Sequence, residues 1–445
     1  MAAKYVNGQE ARLAAERAAR ASYGRLLALL AASTGDLAGA EDALSAAFEQ
    51  ALATWPAGGV PRNPEAWLLT VARNQQRDSW KSAYHRTFAP LDDAVLTGRD
   101  AVLLEDVDVD AMGEKRLELL FVCAHPAIDP GIRTPLMLQT VLGFDAARIG
   151  TAFAVPAAAM AQRLVRAKKK IKQARIPFTI PERQAMPVRL PAVLEAIYGC
   201  YAMAWDEGGT ADGATGEVGM RGEARYLALT LARLLDSEPE AWGLAALITF
   251  SLARVPGREA AVADSGGPGA VFRPLEEQDC GLWDARLIAE GDALLRRAAS
   301  AWTGGPVSSG ATGASPGRFQ LEAAIQAVHC ARARTGATDW AALRTLYTAL
   351  VAVAPSLGAR VALAAVIGRV DGPDAGLSAI DAIGDGGPRQ VRAAVERFQP
   401  FHAARAELLA GAGRTNEASA EFASAARLTL RPGVQDYLLR RAENG

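Results

Sequence analysis

Apolar residues recur every three or four positions along most of this chain, and the breaks between those runs divide it into helices. Tyr23–Ala32 reads apolar at helical spacing, and Asp36 opens a second run, Leu37–Thr54. Pro61 and Pro64 bracket a loop, after which a third helix is predicted from about Glu65 to Tyr84. Residues 87–113 hold Pro90, Gly98 and the acidic cluster Glu105, Asp106, Asp108 and Asp110, and read as a linker. Helices Glu114–Cys123 and Pro130–Leu142 come next. Asp145–Phe153 then carries Ala147, Ile149 and Ala152 at helical spacing, behind an aspartate suited to the N-cap. Ala154-Val155 interrupts, and Pro156 suits the first turn of a further helix, Ala157–Arg175. Pro177 and Pro181 end the block.

From about residue 188 the pattern becomes an Ala/Leu-rich helical array, interrupted by Gly-rich loops at Glu207–Glu223, Gly257–Gly269 and Gly304–Gly317. Phe401–Leu409, a Gly413-to-Glu417 turn and Phe422–Leu428 read as a helix pair of tetratricopeptide type. Trp340–Ala354, Arg360–Val370 and Gly376–Ile383 look similar, so a degenerate helical repeat is expected. Few stretches alternate as strands do. The expectation is an all-α protein: two small helical domains at 9–86 and 114–176, a linker at 87–113, and a helical-repeat domain at 188–445.

Composition changes this picture little. Half of the 445 residues are apolar and 6% are aromatic. With a net charge of −1, any nucleic-acid affinity must come from local basic patches. Cys123, Cys200, Cys280 and Cys330 are scattered without a CxxC pair, as free thiols of a cytoplasmic protein would be. The opening residues lack the apolar core of a signal peptide, and no run is long and apolar enough for a membrane span. A soluble cytoplasmic protein with no membrane partner is expected.

Two stretches concentrate chemistry. In Ala157–Arg175, Arg163, Arg166, Lys168, Lys169, Lys170, Lys172 and Arg175 occur with no acidic residue among them. Two short helices joined by a tight turn, the second basic, describe a helix-turn-helix whose second helix enters a major groove. A solvated amphipathic pair is the plainer alternative. In the third helix Arg73, Arg77 and Lys81 fall at i, i+4 and i+8, one basic stripe with Asn74 beside it and Trp67 and Trp80 nearby. Trp67, Leu68, Val71 and Ala72 are expected to face the core. Basic side chains near aromatics suit melted or single-stranded DNA, although an ordinary charged outer face has the same look. The second helix offers Asp42, Ala43, Phe48 and Glu49, a face that can dock a protein or pack at home.

No Gly-rich phosphate loop and no His/Asp/Ser constellation is present, so neither an enzyme nor a bound cofactor or metal is expected. His329 and His402 read as satisfied core histidines. Asp206, Glu207, Gln278, Asp279, Asp284 and Glu290 read as helix starts and turns rather than a metal or hydrolase site.

The order of these parts resembles the extracytoplasmic-function (ECF) sigma factors of bacterial RNA polymerase. The wording of Gly35-Asp-Leu-Ala-Gly-Ala-Glu-Asp42-Ala-Leu-Ser-Ala-Ala-Phe48, Asn63-Pro-Glu-Ala-Trp67-Leu-Leu-Thr-Val-Ala-Arg73-Asn74 and Met160-Ala-Gln-Arg163-Leu-Val-Arg166-Ala-Lys168 carries the likeness. Asp206-Glu207-Gly208-Gly209-Thr210, Leu275-Glu-Glu-Gln278-Asp279 and Trp283-Asp284 to Glu290-Gly291 resemble the subgroup with a long tetratricopeptide-like C-terminal extension. The resemblance implies core RNA polymerase and promoter DNA as partners. It places Asp42, Leu44, Phe48 and Glu49 on the polymerase clamp, and Arg73, Asn74, Arg77 and Lys81 at the minus-ten element. The loop Ala57–Asn63 would capture a flipped base, and the acidic linker would thread toward the RNA exit path. Gln162, Arg163 and Arg166 would read the minus-thirty-five element, with Lys169, Lys170 and Lys172 along the backbone. The extension would modulate activity through a protein or ligand signal, with the Gly208-Gly209 turn in Asp206–Thr210 fixing an interdomain contact.

Three departures stand out. Arg148-Ile149-Gly150 replaces the usual Glu-Ile-Ala, Ala157-Ala158-Ala159 opens the recognition helix without polar groups, and Trp80 stands where a basic or aliphatic residue is common. A one-component regulator, pairing a helix-turn-helix with a helical sensing module, is the competing reading.

Overall fold

A computed structural model describes residues 8–87, 109–206, 219–258, 272–303, 316–385 and 389–444. Every regular element among them is helical. The chain divides into two compact units, Met1–Leu231 and Ala232–Gly445.

In the first unit α1 (Gly8–Thr34), α2 (Leu37–Gly58) and α3 (Pro64–Thr87) pack on one another. Gly35, at φ 67°, ends α1, and Asp36 caps α2 by accepting the Gly39 N–H at 3.2 Å. The buried stripe of α2 is Leu37, Ala40, Ala43, Leu44, Ala47, Ala51 and Trp55, a run of three- and four-residue steps. Trp55 meets Trp67 edge-on at 5.5 Å, closing the end of α2 onto α3 beneath the Gly59–Asn63 loop. Asn63 caps α3 by accepting the Ala66 N–H at 3.0 Å. Glu65 accepts from Arg25 at 2.9 Å and from the Ser22 hydroxyl, tying α3 to α1. Leu68 and Ala72 are buried as expected, while Trp67 and Val71 are half-buried.

Next come α4 (Val109–Cys123), α5 (Pro130–Thr140), α6 (Ala146–Ala152), α7 (Ala157–Gln173), α8 (Met186–Asp206) and α9 (Met220–Leu234). The first turns of α4 occupy the end of the stretch read as linker; residues 88–108, with Glu105, Asp106 and Asp108, lie outside the described residues. α4 packs on α1, and α8 packs on α4 and α5. Arg116 of α4 is buried and paired with Glu223 of α9; burial, with Arg25 close by, brings its guanidinium down to about 10. The first two helices of the stretch read as an extension therefore pack with the domains before it.

In the second unit α10 (Pro239–Ala253) is buried on nearly every face, between helices Ala285–Thr303 and Arg318–Thr335. Gly243 and Gly291 permit the close approaches, to Gln320 and to the Phe250 ring. Glu240 caps the Arg318–Thr335 helix from outside, accepting the Phe319 and Gln320 N–H groups at 3.0 Å each. Helices from Trp340 to Asn444 pack mainly on their sequence neighbours, around Ile380, Phe401, Leu409 and Phe422.

Candidate nucleic-acid interface

The helix-turn-helix is built by local chemistry. Asp145 accepts the Arg148 N–H at 2.8 Å and starts α6. Ala154 at φ 52° makes the turn, and the Val155 N–H reaches back to the Gly150 carbonyl at 2.8 Å. A Cβ on Gly150 would stand 2.6 Å from the Val155 carbonyl oxygen, so glycine here lets α6 and α7 cross closely. α7 has no side-chain cap, leaving its first N–H groups free for an anion.

Met160, Leu164, Ala167 and Ile171 bury one face of α7. On the other face Gln162, Arg163, Arg166, Lys169 and Lys170 are exposed, and no ion pair engages these four cations among the described residues. Lys172 behaves differently: its ammonium pairs with Asp36 of α2 at 2.5 Å. Lys168, adjoining the buried face, pairs with Glu41 of α2 at 2.6 Å with both side chains largely buried. Burial raises the Glu41 carboxyl above its ordinary range, and the Lys168 charge opposes that shift.

On α3, Arg73 is half-buried while Asn74 and Arg77 are exposed. Burial, and then the neighbouring Arg77 charge, lower the Arg73 guanidinium below its ordinary value. The two like charges lie close enough on α3 for each to disfavour the other's charged form. The backbone of α3 runs on through Trp80 and Lys81, whose side chains lie outside the described residues.

On α2, Asp42 and Glu49 are exposed and Phe48 is half-buried. Leu44 corrects the expectation from resemblance, because it is 0% exposed and sits in the buried stripe between Leu37 and Ala51. A side chain at that helical phase packs the core and cannot meet a partner. The pairing of Glu41 with Lys168 was missed altogether. Its one sequence signal is that Lys168 lies four residues after Leu164 and three before Ile171, on the apolar side of α7.

In the second unit a cavity of about 220 Å³ is lined by residues that include Leu275, Glu276, His329, Arg332 and Trp340. Burial, reinforced by Arg254 and Arg332, brings the His329 imidazole down to about 4. His402 is held between the Glu421 carboxylate at 2.7 Å and the Glu396 carbonyl at 3.2 Å. Asp206 ends α8 with its side chain outside the described residues, and Glu207, Gly208, Gly209 and Thr210 lie outside them entirely. No group of side chains among the described residues could hold a metal ion. No helix there is long and apolar enough to cross a membrane.

Residues 18–86, spanning most of α1 and all but the last residue of α3, match the family Sigma-70 region 2. Residues 189–299 match a family described as "Family of unknown function (DUF6596)". The region 2 match supports a sigma-factor-like role in transcription initiation, and implies core RNA polymerase and promoter DNA as what region 2 binds. "Uncharacterized protein R00370" of Rhizobium meliloti (strain 1021) is 32% identical over 406 residues, covering 90% of this chain and 88% of the relative. The chain belongs to the family of that rhizobial protein. No solved structure matches it.

Proposed function

We propose that the chain is an ECF-type sigma factor that brings core RNA polymerase to specific promoters, and that its helical C-terminal extension modulates this activity. The observation that carries the reading is the region 2 match over α1–α3, followed in the chain by a helix-turn-helix with an exposed cationic face. Residues 9–86 would hold core polymerase and the minus-ten element. Asp42, Phe48 and Glu49 supply the polymerase face, and Arg73, Asn74, Arg77 and Lys81 supply the DNA face. Residues 114–176 would read the minus-thirty-five element, joined to the first domain by the 87–113 linker.

The chemistry divides along α7. Gln162, Arg163 and Arg166 lie in its first three turns, where a recognition helix meets base edges, and arginine can bond guanine with two parallel N–H groups. Lys169 and Lys170 continue toward the phosphates, where they neutralise charge without reading sequence. The Ala57–Asn63 stretch, which runs from the last residues of α2 into the loop that follows the Trp55–Trp67 contact, would take up a flipped base and offset its unstacking cost. The extension from 188 onward would act as a tetratricopeptide-like scaffold for a protein or ligand signal, with Asp206–Thr210 as a regulatory joint. Nothing in this role requires catalysis by the chain itself.

The test is reconstituted transcription from fragmented bacterial genomic DNA with core polymerase and the purified chain. Discrete start sites that vanish in R73A/R77A support the reading. Transcription no different from core polymerase alone would refute it.

A further inference from the structure

We propose that the second unit carries a binding site for a small aromatic carboxylate, in the cavity between the Leu275–Glu277 turn and the helices Arg318–Thr335 and Trp340–Val353. The inference rests on the proposed regulatory role of the extension for its meaning, as the ligand signal, but its geometry stands independently. The stretches Leu275–Asp279 and Trp283–Gly291 have no part in the DNA-binding domains, and what they build here is a mount for one arginine. Arg332 lies over the Trp283 ring at 5.2 Å. Its Nε donates to the Cys280 sulfur at 2.9 Å and its Nη2 to the Gln278 carbonyl at 2.8 Å. Asp279 fixes the backbone between them by accepting the Gly281 N–H at 2.8 Å. The guanidinium is therefore held in place by neutral groups. Among the described residues it forms no ion pair, and nothing engages its Nη1.

Arg332 lines the cavity together with Leu275, Glu276, His329, Thr338 and Trp340. Burial, and then the Arg254 and Arg332 charges, keep His329 neutral. Its ring therefore offers one donor and one acceptor, and no hydrogen bond among the described residues uses either. The same two arginines leave the cavity electropositive at the imidazole. Glu276 does not cancel that field, because Arg369 pairs with its carboxylate at 2.6 Å while lying over the Trp340 ring at 5.3 Å. A planar carboxylate takes paired N–H groups from a guanidinium edge, and such charge-assisted bonds are roughly twice as strong as neutral ones. Trp340 and Leu275 supply an apolar wall on which an aromatic ring stacks. Size agrees: an apolar cavity of about 150 Å³ accepts benzene, and this one measures about 220 Å³, room for one ring and its carboxylate.

The experiment titrates the full chain, without polymerase, with para-fluorobenzoate and with its neutral isostere para-fluorobenzamide. Binding is followed by fluorine NMR of the probe and by the ring protons of the four histidines. The benzoate should bind saturably and shift the His329 resonance, which is assigned by its loss in His329→Gln. The amide lacks the charge and should bind about tenfold more weakly. Arg332→Gln should bring the two probes level by weakening the benzoate alone. Thr338→Trp fills the cavity without touching a charge and should abolish binding of both, which gives a second readout should the Arg332 variant not fold. Circular dichroism establishes which variants are folded. No saturable binding of the benzoate, equal affinity for acid and amide, a His329 resonance that stays in place, or binding unchanged in the folded variants would overturn the proposal. Failure of the chain to support transcription would sink the sigma reading while leaving the binding result standing.

Discussion

Leu44 and Asp42 are two residues apart on α2, yet the structure gives them opposite jobs. Leu44 is 0% exposed between Leu37 and Ala51, whereas Asp42 is exposed. Leu44→Ala removes a fully buried branched side chain and leaves a cavity, at a cost of about 2–5 kcal/mol, with about 3 kcal/mol expected for a helix face packed on two neighbours. In a unit of this size each kcal/mol shifts the melting temperature by roughly 2–4 °C, so a fall of about 6–12 °C follows. Asp42→Ala removes only a solvated charge and should change stability by less than about 0.5 kcal/mol. The assay pairs urea unfolding followed by circular dichroism with core polymerase binding at a temperature where both variants are folded. Leu44→Ala should be destabilised and still bind, and Asp42→Ala should be stable and bind more weakly. A stable Leu44→Ala that fails to bind polymerase would show that this side chain forms the interface, and the packing argument would fall.

Other outcomes follow from the same geometry. Gly150→Ala gains about 1 kcal/mol of helix propensity but forces a Cβ onto the Val155 carbonyl, an overpacking cost of about 1–3 kcal/mol, so net destabilisation is expected; a higher melting temperature would refute it. Arg163→Ala should cost about 1–3 kcal/mol on the preferred promoter and little on random duplex; equal loss on both would remove its base-reading role. Lys170→Ala should weaken binding to all duplexes alike and reduce the salt slope by about one, as measured by fluorescence anisotropy across a salt series. His329 titrates at about 4 in the folded chain against an ordinary value of 6.5. The unfolded chain therefore binds the proton more tightly, and the stability associated with neutral His329 is present above about pH 6.5 and lost as pH falls toward 4, up to about 3 kcal/mol. His329→Gln should flatten that dependence in thermal melts between pH 7 and 4.5; an unchanged profile would assign it to other groups.

Much of the N-terminal architecture was written in short-range chemistry. Asp36, Asp129 and Asp145 cap the helices they precede, and the Ala154–Pro156 break sets the turn of the helix-turn-helix. These features act within three or four residues, which is why periodicity and cap residues reveal them. The resemblance points Leu44 at a partner, whereas its helical phase puts it in line with buried Leu37 and Ala51. The Glu41–Lys168 pair joins residues 127 positions apart. Such pairings arise only once the domains pack: the local pattern puts Lys168 on the apolar side of α7 but does not name its partner. Likewise α8 packs on α4 and α5, and Arg116 of α4 pairs with Glu223 of α9, both of them tertiary facts.

The central claim is that this chain acts by joining core RNA polymerase through its first domain. Gel filtration of the purified full chain with core polymerase, challenged by a housekeeping sigma factor, tests it most directly. The account predicts a one-to-one complex that the competitor displaces and that loss of the Asp42 and Glu49 charges weakens. No complex with the full chain or with residues 1–234, which keep α8 and α9, would contradict it, and would leave a one-component DNA-binding regulator as the better description.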